Sequence, residues 1–463
     1  MGRNALLGLA LALAGYAQAA AAAGDDAGLR EQLRKLNERL ERLEKRNQEL
    51  EQALQSDRLS EKDPEIATRL KAVEFQTLSM QKQARQIEAL EGISVSASLT
   101  GVLQSASAAS TASGTRESRT NYRGDIAVAL PGGEMGDTEA RIFTHFRIGQ
   151  GNGIALRPTY TSTPNTTAFH VQSTNAVPDD SFGILAQAWY QLTVPLPVGG
   201  YKPQSRESMR LTFGKIDPFV FFDQNAAADD ESTRFLNNAF VHNPLLDSGG
   251  DVGADQYGFA PGLVAGYRNE RSRPESWGAS VGVFGSGPGA NFSGSPSRPF
   301  VIGQVERLQR LFGGLPGNYR LYVWTNGRAL DFDGAQARHS GWGASADQRV
   351  GDAVTLFGRY GHQAAGKARF DRALTAGAEL GGSYWGRAAD AVGVAAGFLR
   401  AANGNADFGF VPAGSERIGE LYYRFRVNSR FELSPDLQLI RRPGGNAAAP
   451  NVTVVGLRAK VGF

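Results

Sequence analysis

Two different hydrophobic periods divide the chain. From Leu29 the leucines fall at 29, 33, 36, 40 and 43, Asn47 takes the next slot, and Leu50 and Leu54 continue the alternating four- and three-residue spacing. This heptad seam predicts an α-helical coiled coil. With Leu33 at an a position, Asn47 also falls at a, where one buried amide fixes register and chain number. Charges such as Arg30, Glu31, Arg34, Glu38 and Arg42 cover the other faces. A helix lying on its own domain needs a wider apolar stripe than two positions in seven, so the pattern favours self-association. Pro64 interrupts the helix, and a weaker periodic stretch through Ile66, Leu70, Val73, Met80, Ile87 and Leu90 runs on to Gly92. At 1.5 Å per residue, 29–56 alone makes a rod of roughly 40 Å.

At Gly92 the period becomes two. Ile93, Val95, Ala97, Leu99 and Leu103 share one face, with Ser94, Ser96, Ser98 and Thr100 on the other, as a wall with unlike sides requires. The alternation returns at Ala140–Ile148, Ala186–Val194, Trp277–Phe284, Tyr319–Thr325, Val354–Tyr360, Val392–Phe398, Ile418–Val427 and Thr453–Phe463. Gly/Pro/Asn/Asp-rich turns and longer polar loops near 150–182, 224–256 and 285–299 separate these segments. Helical periodicity does not return at length, which argues against Rossmann and TIM arrangements.

The final segments say what the two faces meet. Val455, Leu457, Ala459, Val461 and Phe463 point one way, and Val454, Gly456, Arg458, Lys460 and Gly462 the other. An alternating strand that closes on an aromatic is the pattern of bacterial outer-membrane barrels, apolar side to lipid and polar side to a lumen. Ile418–Val427 repeats the division, with Leu421, Tyr423, Phe425 and Val427 opposite Glu420, Tyr422, Arg424 and Arg426. Such a polar row is costly in a dry core and costs little against water. A secreted β-sandwich or propeller also alternates, but requires neither the terminal Phe nor an oligomerising stalk. The expectation is therefore an all-β transmembrane barrel preceded by a helical coiled coil. At around 23 residues per strand and turn, the chain after Gly92 holds roughly 14 to 18 antiparallel strands, about 16.

Arg3, the short apolar stretch Ala5–Ala14 and the Ala-x-Ala spellings at 17–19 and 21–23 read as a secretory signal. A retained anchor would need roughly 20 apolar residues. The expected organisation is a signal peptide over 1–23, a periplasmic stalk over 25–91 and an outer-membrane barrel over 92–463.

Composition narrows the chemistry. Cysteine is absent from the 463 residues, which excludes disulfides, thiolate metal sites and cysteine nucleophiles. Glycine, at 57 residues, has no Gly-X-Y period and fits a molecule of many strands and turns. The net charge of +3 marks no nucleic-acid-binding protein. After Gly92 the basic residues are nearly all arginine, with Lys202, Lys215, Lys367 and Lys460 the only lysines. Arginine suits confined polar walls because its flat fork stacks and hydrogen-bonds at once; a GC-rich genome explains the same bias without function. Gly278–Gly282 spells a nucleophile elbow but sits inside an alternating strand, the wrong context for an exposed serine. His145, His170, His242, His339 and His362 show no zinc-ligand spacing. Asp331–Gly334 lacks the downstream ligands of a calcium loop, and Asp229–Glu231 reads as a solvated loop. No cofactor, metal or enzymatic activity is expected.

The runs Leu211–Asn225 (LTFGKIDPFVFFDQN) and Glu231–Asn243 (ESTRFLNNAFVHN), together with Glu420–Val427, Ser434–Gly445 and Val454–Phe463, resemble the carbohydrate-selective outer-membrane porins of the OprB-like family. The stretch 260–415 matches that family only in texture, and the heptad stalk lies outside its core pattern. The resemblance implies a sixteen-strand, water-filled barrel in the bacterial outer membrane that passes sugars to the periplasm by diffusion.

A sugar offers many hydroxyls and flat C–H faces, so a constriction selective for it needs dense donors and acceptors beside aromatic or guanidinium planes. The candidate channel-lining residues are Asp223 and Asn225, at the end of a predicted strand, and the inward-phase Glu420, Tyr422, Arg424, Arg426, Arg458 and Lys460. The plainer reading of each arginine is a wall residue paired with an acid on a neighbouring strand, and of Asp223 and Asn225 a loop cap. Conduction requires weak binding, so no single residue is expected to be indispensable. The expected partners are carbohydrate solutes, outer-membrane lipid and further copies of the chain, a trimer being favoured, with peptidoglycan within reach of the stalk. An anion-preferring channel, suggested by the arginine excess, and an envelope tether anchored by the barrel are the rival functions.

Overall fold

The computed structural model describes residues 92–156, 162–168, 170–171, 181–198, 205–246, 257–287, 298–402 and 414–463, together with Arg34, Lys35, Glu38, Arg39, Glu41, Arg42 and Glu44–Arg46. The latter are helical, and Arg34 and Glu38 form an i,i+4 ion pair at 2.6 Å. The seam positions from Leu29 to Leu54, the signal segment and residues 57–91 lie outside the described residues. Residues Ser96–Gly462 form one compact unit, and residues 1–95 with Phe463 another.

The larger unit is a closed antiparallel β-barrel. Its strands are β1 (Ser94–Ala106), β2 (Glu117–Met135), β3 (Thr138–Gly153), β5 (Phe182–Leu196), β6 (Glu207–Ile216), β7 (Ala260–Asn269), β8 (Ser276–Phe284) and β9 (Phe300–Leu311), followed by β10 (Leu315–Leu330), β11 (Gln336–Gly351), β12 (Val354–Ala365), β13 (Phe370–Gly381), β14 (Ala391–Ala401), β15 (Ser415–Arg426), β16 (Phe431–Arg441) and β17 (Val452–Gly462). A two-residue strand, β4 (His170–Val171), pairs in parallel with the end of β3. Among the described residues, the other sixteen strands make the wall, each paired with its sequence neighbours. The wall closes where β1 meets β17, in a register running from Ser98 opposite Gly462 to Ala106 opposite Val454. Closure leaves no sheet edge, so the ladder hydrogen bonds of the wall are made between strands without water, as lipid surroundings demand.

The period-two pattern decides which side meets lipid. Leu99, Leu103, Leu374, Phe398, Leu421, Leu437, Val455 and Leu457 all point outward and are exposed, forming the apolar band of a membrane barrel. The alternate positions point inward, where Thr100, Gln104, Arg359, Glu420, Gln438 and Arg458 are buried. Short turns such as 136–137, 312–314 and 352–353 join the strands at one end, and longer connections, including the one that begins over 217–246, lie at the other. At the short-turn end an aromatic girdle includes Phe312, Tyr384 and Trp385, and the Trp385 indole donates to the Tyr423 hydroxyl at 3.2 Å.

Ser280 lies within β8, and Asp331–Gly334 is a tight turn between β10 and β11, where the Gly334 N–H donates to the Asp331 carbonyl at 2.9 Å. The strand expected to end at Asp223 and Asn225 is shorter than its sequence suggests. Asp223 and Asn225 do not end a strand: β6 stops at Ile216, where Asp217 caps a 3-10 turn over Pro218–Val220 by accepting from the Phe219 N–H.

Candidate functional site

The connection after β6 turns into the barrel, because it carries more apolar mass than a surface loop can expose. Phe222, Phe235, Leu236, Phe240, Val241 and Leu245 are buried, and Phe222, Phe235, Phe240 and Leu245 share one core cluster with the inward Phe284, Phe357, Leu399 and Tyr422 of the wall. The Phe235 ring lies 5.0 Å from Tyr422 and 5.5 Å from Phe357. Fully burying one such side chain contributes about 1.5–3 kcal/mol, so the luminal course of the loop is strongly favoured.

Polar anchors then fix the loop's position. Asp223 is fully buried and adopts a left-handed conformation, with φ of 56°. Its carboxylate accepts from the Asn243 N–H at 2.6 Å, the Tyr322 hydroxyl at 2.8 Å and Arg359 Nε at 3.1 Å. Arg359 also donates through Nη1 to the Phe240 carbonyl at 2.7 Å and through Nη2 to the Asp223 carbonyl at 3.1 Å. One guanidinium on β12 thus clamps two separate points of the loop. Such a pair endures in a dry site only because nearly every donor and acceptor has a partner. Asn225 donates to Ser345 Oγ at 3.3 Å and the Ala346 carbonyl at 3.1 Å, and accepts from the Ala227 N–H at 3.0 Å.

Strands β15–β17, further round the wall, hold the other half of the loop. Glu420 on β15 accepts the successive N–H groups of Leu236 and Asn237 at 2.5 and 3.0 Å, and the Asn237 side chain donates to Gln438 at 3.1 Å. Arg458 donates to the carbonyls of Glu231 and Arg234 at 3.0 and 2.5 Å, and Lys460 to Ser232 Oγ at 2.7 Å. Burial pushes the Asp230 carboxyl up, but the Lys460 ammonium and hydrogen bonds from Ser232 and Thr233 more than reverse this and bring it to about 2. Tyr422 donates to Glu379 at 2.6 Å, a carboxylate that also faces Arg234 at 3.3 Å and Arg424 at 3.6 Å. Arg426 stands apart, largely exposed at the short-turn end, 3.5 Å from Glu432. Six of the eight sequence-chosen residues thus belong to the loop or bond to the loop or its neighbours, Arg424 flanks that cluster, and Arg426 lies outside it.

Two inward glycines shape the docking surface. Gly343 on β11 and Gly361 on β12 are directly opposite one another, and the Asn243 amide lies where both their side chains would project. A Cβ at Gly361 would come within 2.5 Å of Asn243 Oδ1, and one at Gly343 within 2.6 Å of its Nδ2. Alternation marks both glycines as luminal, but nothing in their neighbourhood names the asparagine they admit. Arg359, Tyr322 and Gln304, whose side chain accepts from the Asp223 N–H at 2.9 Å, were likewise missed; an inward phase was the only sequence signal they carried.

Two cavities flank the 218–224 segment. One, of about 610 Å³, is lined by Arg123, Asp125, His145, Arg147, Glu231 and Phe219, among others. Here Arg123 bridges Asp125 and Glu231 at 2.8 and 2.6 Å, and His145 and Arg147 both reach Asp125 at 2.9 Å. The Phe219 and His242 rings stack with centroids 3.7 Å apart. The other cavity, of about 470 Å³, lies nearer the short-turn end and combines Arg141, Arg210, Arg268 and Arg320 with Phe143 and Trp189, whose rings stack at 4.8 Å. Planar cations, acids and aromatic faces therefore line confined space on both sides of the loop.

The model of the carbohydrate-selective porin, OprB family, matches residues 65–463. The chain belongs to that family. The match spans 260–415, so family membership extends through the stretch whose sequence resembles the family only in texture, and it begins within the segment assigned to the stalk. Among solved structures, the high-pH structure of Pseudomonas putida OprB is 18% identical, with 82% of this chain and 96% of that chain covered and a TM-score of 0.63. The low-pH structure of the same protein has 15% identity over the same coverage and a TM-score of 0.47. A mutant of the Rh. blastica porin has 10% identity, covers 80% of this chain and 100% of that chain, and gives a TM-score of 0.44. Among curated proteins no match is found. Family and fold together place the barrel in the bacterial outer membrane. The two sequence blocks that carry the OprB resemblance are also two sides of one contact: the first supplies much of the luminal loop, and the second supplies Glu420, Gln438, Arg458 and Lys460 beneath it.

Proposed function

We propose that the barrel passes carbohydrates into the periplasm by passive, weakly selective diffusion along the cavities beside the luminal loop. The observation that carries this reading, beyond family membership, is the pairing of guanidinium and aromatic planes in the second cavity, where Arg141, Arg210, Arg268 and Arg320 face Phe143 and Trp189. Stacking suits the C–H faces of a sugar and the forked donors suit its hydroxyls. Asp223, Asn225, Glu420, Tyr422, Arg458 and Lys460 act on the solute through the loop they hold, while Arg424 and Arg426 add to the charge of the lumen. Acids beside these arginines, Glu270 at Arg268 and Glu306 and Asp347 at Arg320, offset part of their charge, as Asp125 and Glu231 do for Arg123 in the first cavity, which favours neutral solutes over anions. Liposome swelling with a panel of sugars, combined with reversal potentials under a salt gradient, tests this reading. Rapid sugar-driven swelling with weak ion preference supports it, and strong anion preference with no sugar flux overturns it in favour of the anion channel.

Residues 1–23 are proposed to direct export and 25–91 to form a periplasmic, self-associating stalk, with a trimer favoured. The heptad seam supports self-association, while Leu at a and d with Asn47 at a does not choose between two chains and three; the preference for a trimer rests on the resemblance to porins. The helical state of Arg34–Arg46 at the described positions is compatible with it. A tether role for the stalk predicts that deleting 29–91 releases the envelope from peptidoglycan; a transport role predicts that sugar flux survives the deletion.

A further inference from the structure

The outward face of the barrel carries a row of arginines that the channel does not use. Arg372 on β13 is directly opposite Arg400 on β14, and Arg417 on β15 directly opposite Arg441 on β16. Arg400 is also opposite Ser415, which places Arg417, two residues further on, on its diagonal. On the other flank His362 on β12 is opposite Arg372. Side chains directly opposite one another sit about 5 Å apart and diagonal ones about 7–8 Å apart. Four guanidiniums thus form one continuous arc across four consecutive strands. Like charges placed opposite each other in a sheet destabilise it. Arg400 has one acid, Asp371, at 2.9 Å. Arg372, Arg417 and Arg441 are exposed and make no ion pair with any other described residue.

The height of this arc on the wall identifies what it meets. One outward step below it, toward the middle of the barrel, Leu374 is opposite Phe398 and Leu439 opposite Gly419, and the three large side chains are 49%, 47% and 45% exposed. The arginines therefore stand at the edge of the apolar band, at the long-loop end, which in outer-membrane barrels faces outside. At the opposite edge, this sector carries Trp385 and Tyr423 instead. An aromatic belt suits an ordinary interface, whereas four guanidiniums sharing one acid suit a layer dense in phosphate, for which the arginine fork has the matching geometry.

We propose that Arg372, Arg400, Arg417 and Arg441 form a binding site for a phosphorylated glycolipid of the outer leaflet, its phosphates bridging the arginine pairs and its acyl chains lying on Leu374, Phe398 and Leu439. The apolar floor directly beneath the cations is what distinguishes this ligand from free phosphate.

The test uses the full chain in detergent, with lipid retention read by native mass spectrometry for bisphosphorylated lipid A and for the same lipid after enzymatic removal of its phosphates. Each basic side chain near an anionic surface contributes roughly fivefold in affinity. The quadruple variant R372Q/R400Q/R417Q/R441Q should therefore retain the phosphorylated lipid at least about tenfold more weakly than wild type. The wild type should release the dephosphorylated lipid, and millimolar inorganic phosphate alone should not displace the phosphorylated one. Unchanged sugar-driven swelling by the variant shows that it folds, and keeps this test separate from that of the channel. If the quadruple variant does not fold, the pair R372Q/R400Q is measured and must show a weaker loss in the same direction. Equal retention by variant and wild type, equal retention of dephosphorylated lipid, or loss only of a self-association state with lipid binding intact would each overturn the proposal.

Discussion

Arg359→Gln is the sharpest perturbation of the luminal loop. The substitution removes a fully buried cation that makes three hydrogen bonds, two to Asp223 and one to the Phe240 carbonyl. It leaves the Asp223 carboxylate with only the Asn243 N–H and the Tyr322 hydroxyl. Removing one partner of a buried pair costs about 3–5 kcal/mol, or a factor of about 10² to 10⁴ in the ratio of docked to released loop. Apolar burial and the anchors at Glu420, Arg458 and Lys460 still hold the far half, so the release is local to 222–243. Single-channel recording should show a noisier open state of higher conductance, with reduced discrimination among sugars, while the barrel keeps its heat-modifiable migration. Asp223→Asn isolates the charge, because asparagine tolerates the left-handed backbone at this position. The double variant D223N/R359Q leaves neither charge unpaired and should recover part of the loss, since each remaining neutral hydrogen bond is worth only about 1 kcal/mol. Wild-type conductance and noise in R359Q, or no coupling between the two substitutions in the double-mutant cycle, would refute the clamp.

Three further outcomes follow from the same geometry. Gly361→Ala places a methyl group within 2.5 Å of Asn243 Oδ1, so it should lower the melting temperature of the loop and raise open-channel noise, whereas Gly303→Ala, with open space at its Cβ, should do neither. Glu420→Ala strands two buried N–H groups at about 1–3 kcal/mol each, and should expose the peptide bond after Arg234 to trypsin; Glu420→Gln, which keeps one acceptor oxygen, should show partial cleavage. At the short-turn end, hydrogen bonds from Arg387 outweigh burial and, with the Tyr423 hydroxyl and the Arg426 N–H, hold the Asp390 carboxyl at about 2, below its ordinary 3.8. A carboxyl lowered on folding stabilises fully above its ordinary value and loses that contribution as pH falls through the lowered one. Hydrogen exchange of the turn 382–390, corrected for intrinsic rate, should therefore lose protection between about pH 4 and pH 2, and Asp390→Asn should abolish that dependence.

The wall was legible because period-two alternation is a local signal. Arg458 and Lys460 were placed inward and Leu457 and Val461 outward from eleven residues of sequence, and the register against β1 agrees. What the inward face meets was not legible. Glu420 reads as a channel carboxylate from its phase, yet it accepts N–H groups from residues 183 and 184 positions away, and no local pattern specifies so distant a partner. Asp223 and Asn225 were singled out from their motif, but the strand before them ends earlier because Asp217 and Pro218 start a turn. The apolar run Phe219–Phe222 was read as part of a wall when it belongs to a plug. A loop that buries its own phenylalanines inside a barrel looks, residue by residue, like another strand.

The central claim is that sugars enter the lumen and dwell briefly beside the luminal loop. Single-channel current through the full chain in a planar bilayer, with neutral sugar titrated into one chamber, tests it most directly. A saturable, reversible reduction of current with increasing sugar, weaker for a non-sugar polyol of similar size, is the predicted result. A fall in current that only tracks solution viscosity, the same for every solute, would contradict it.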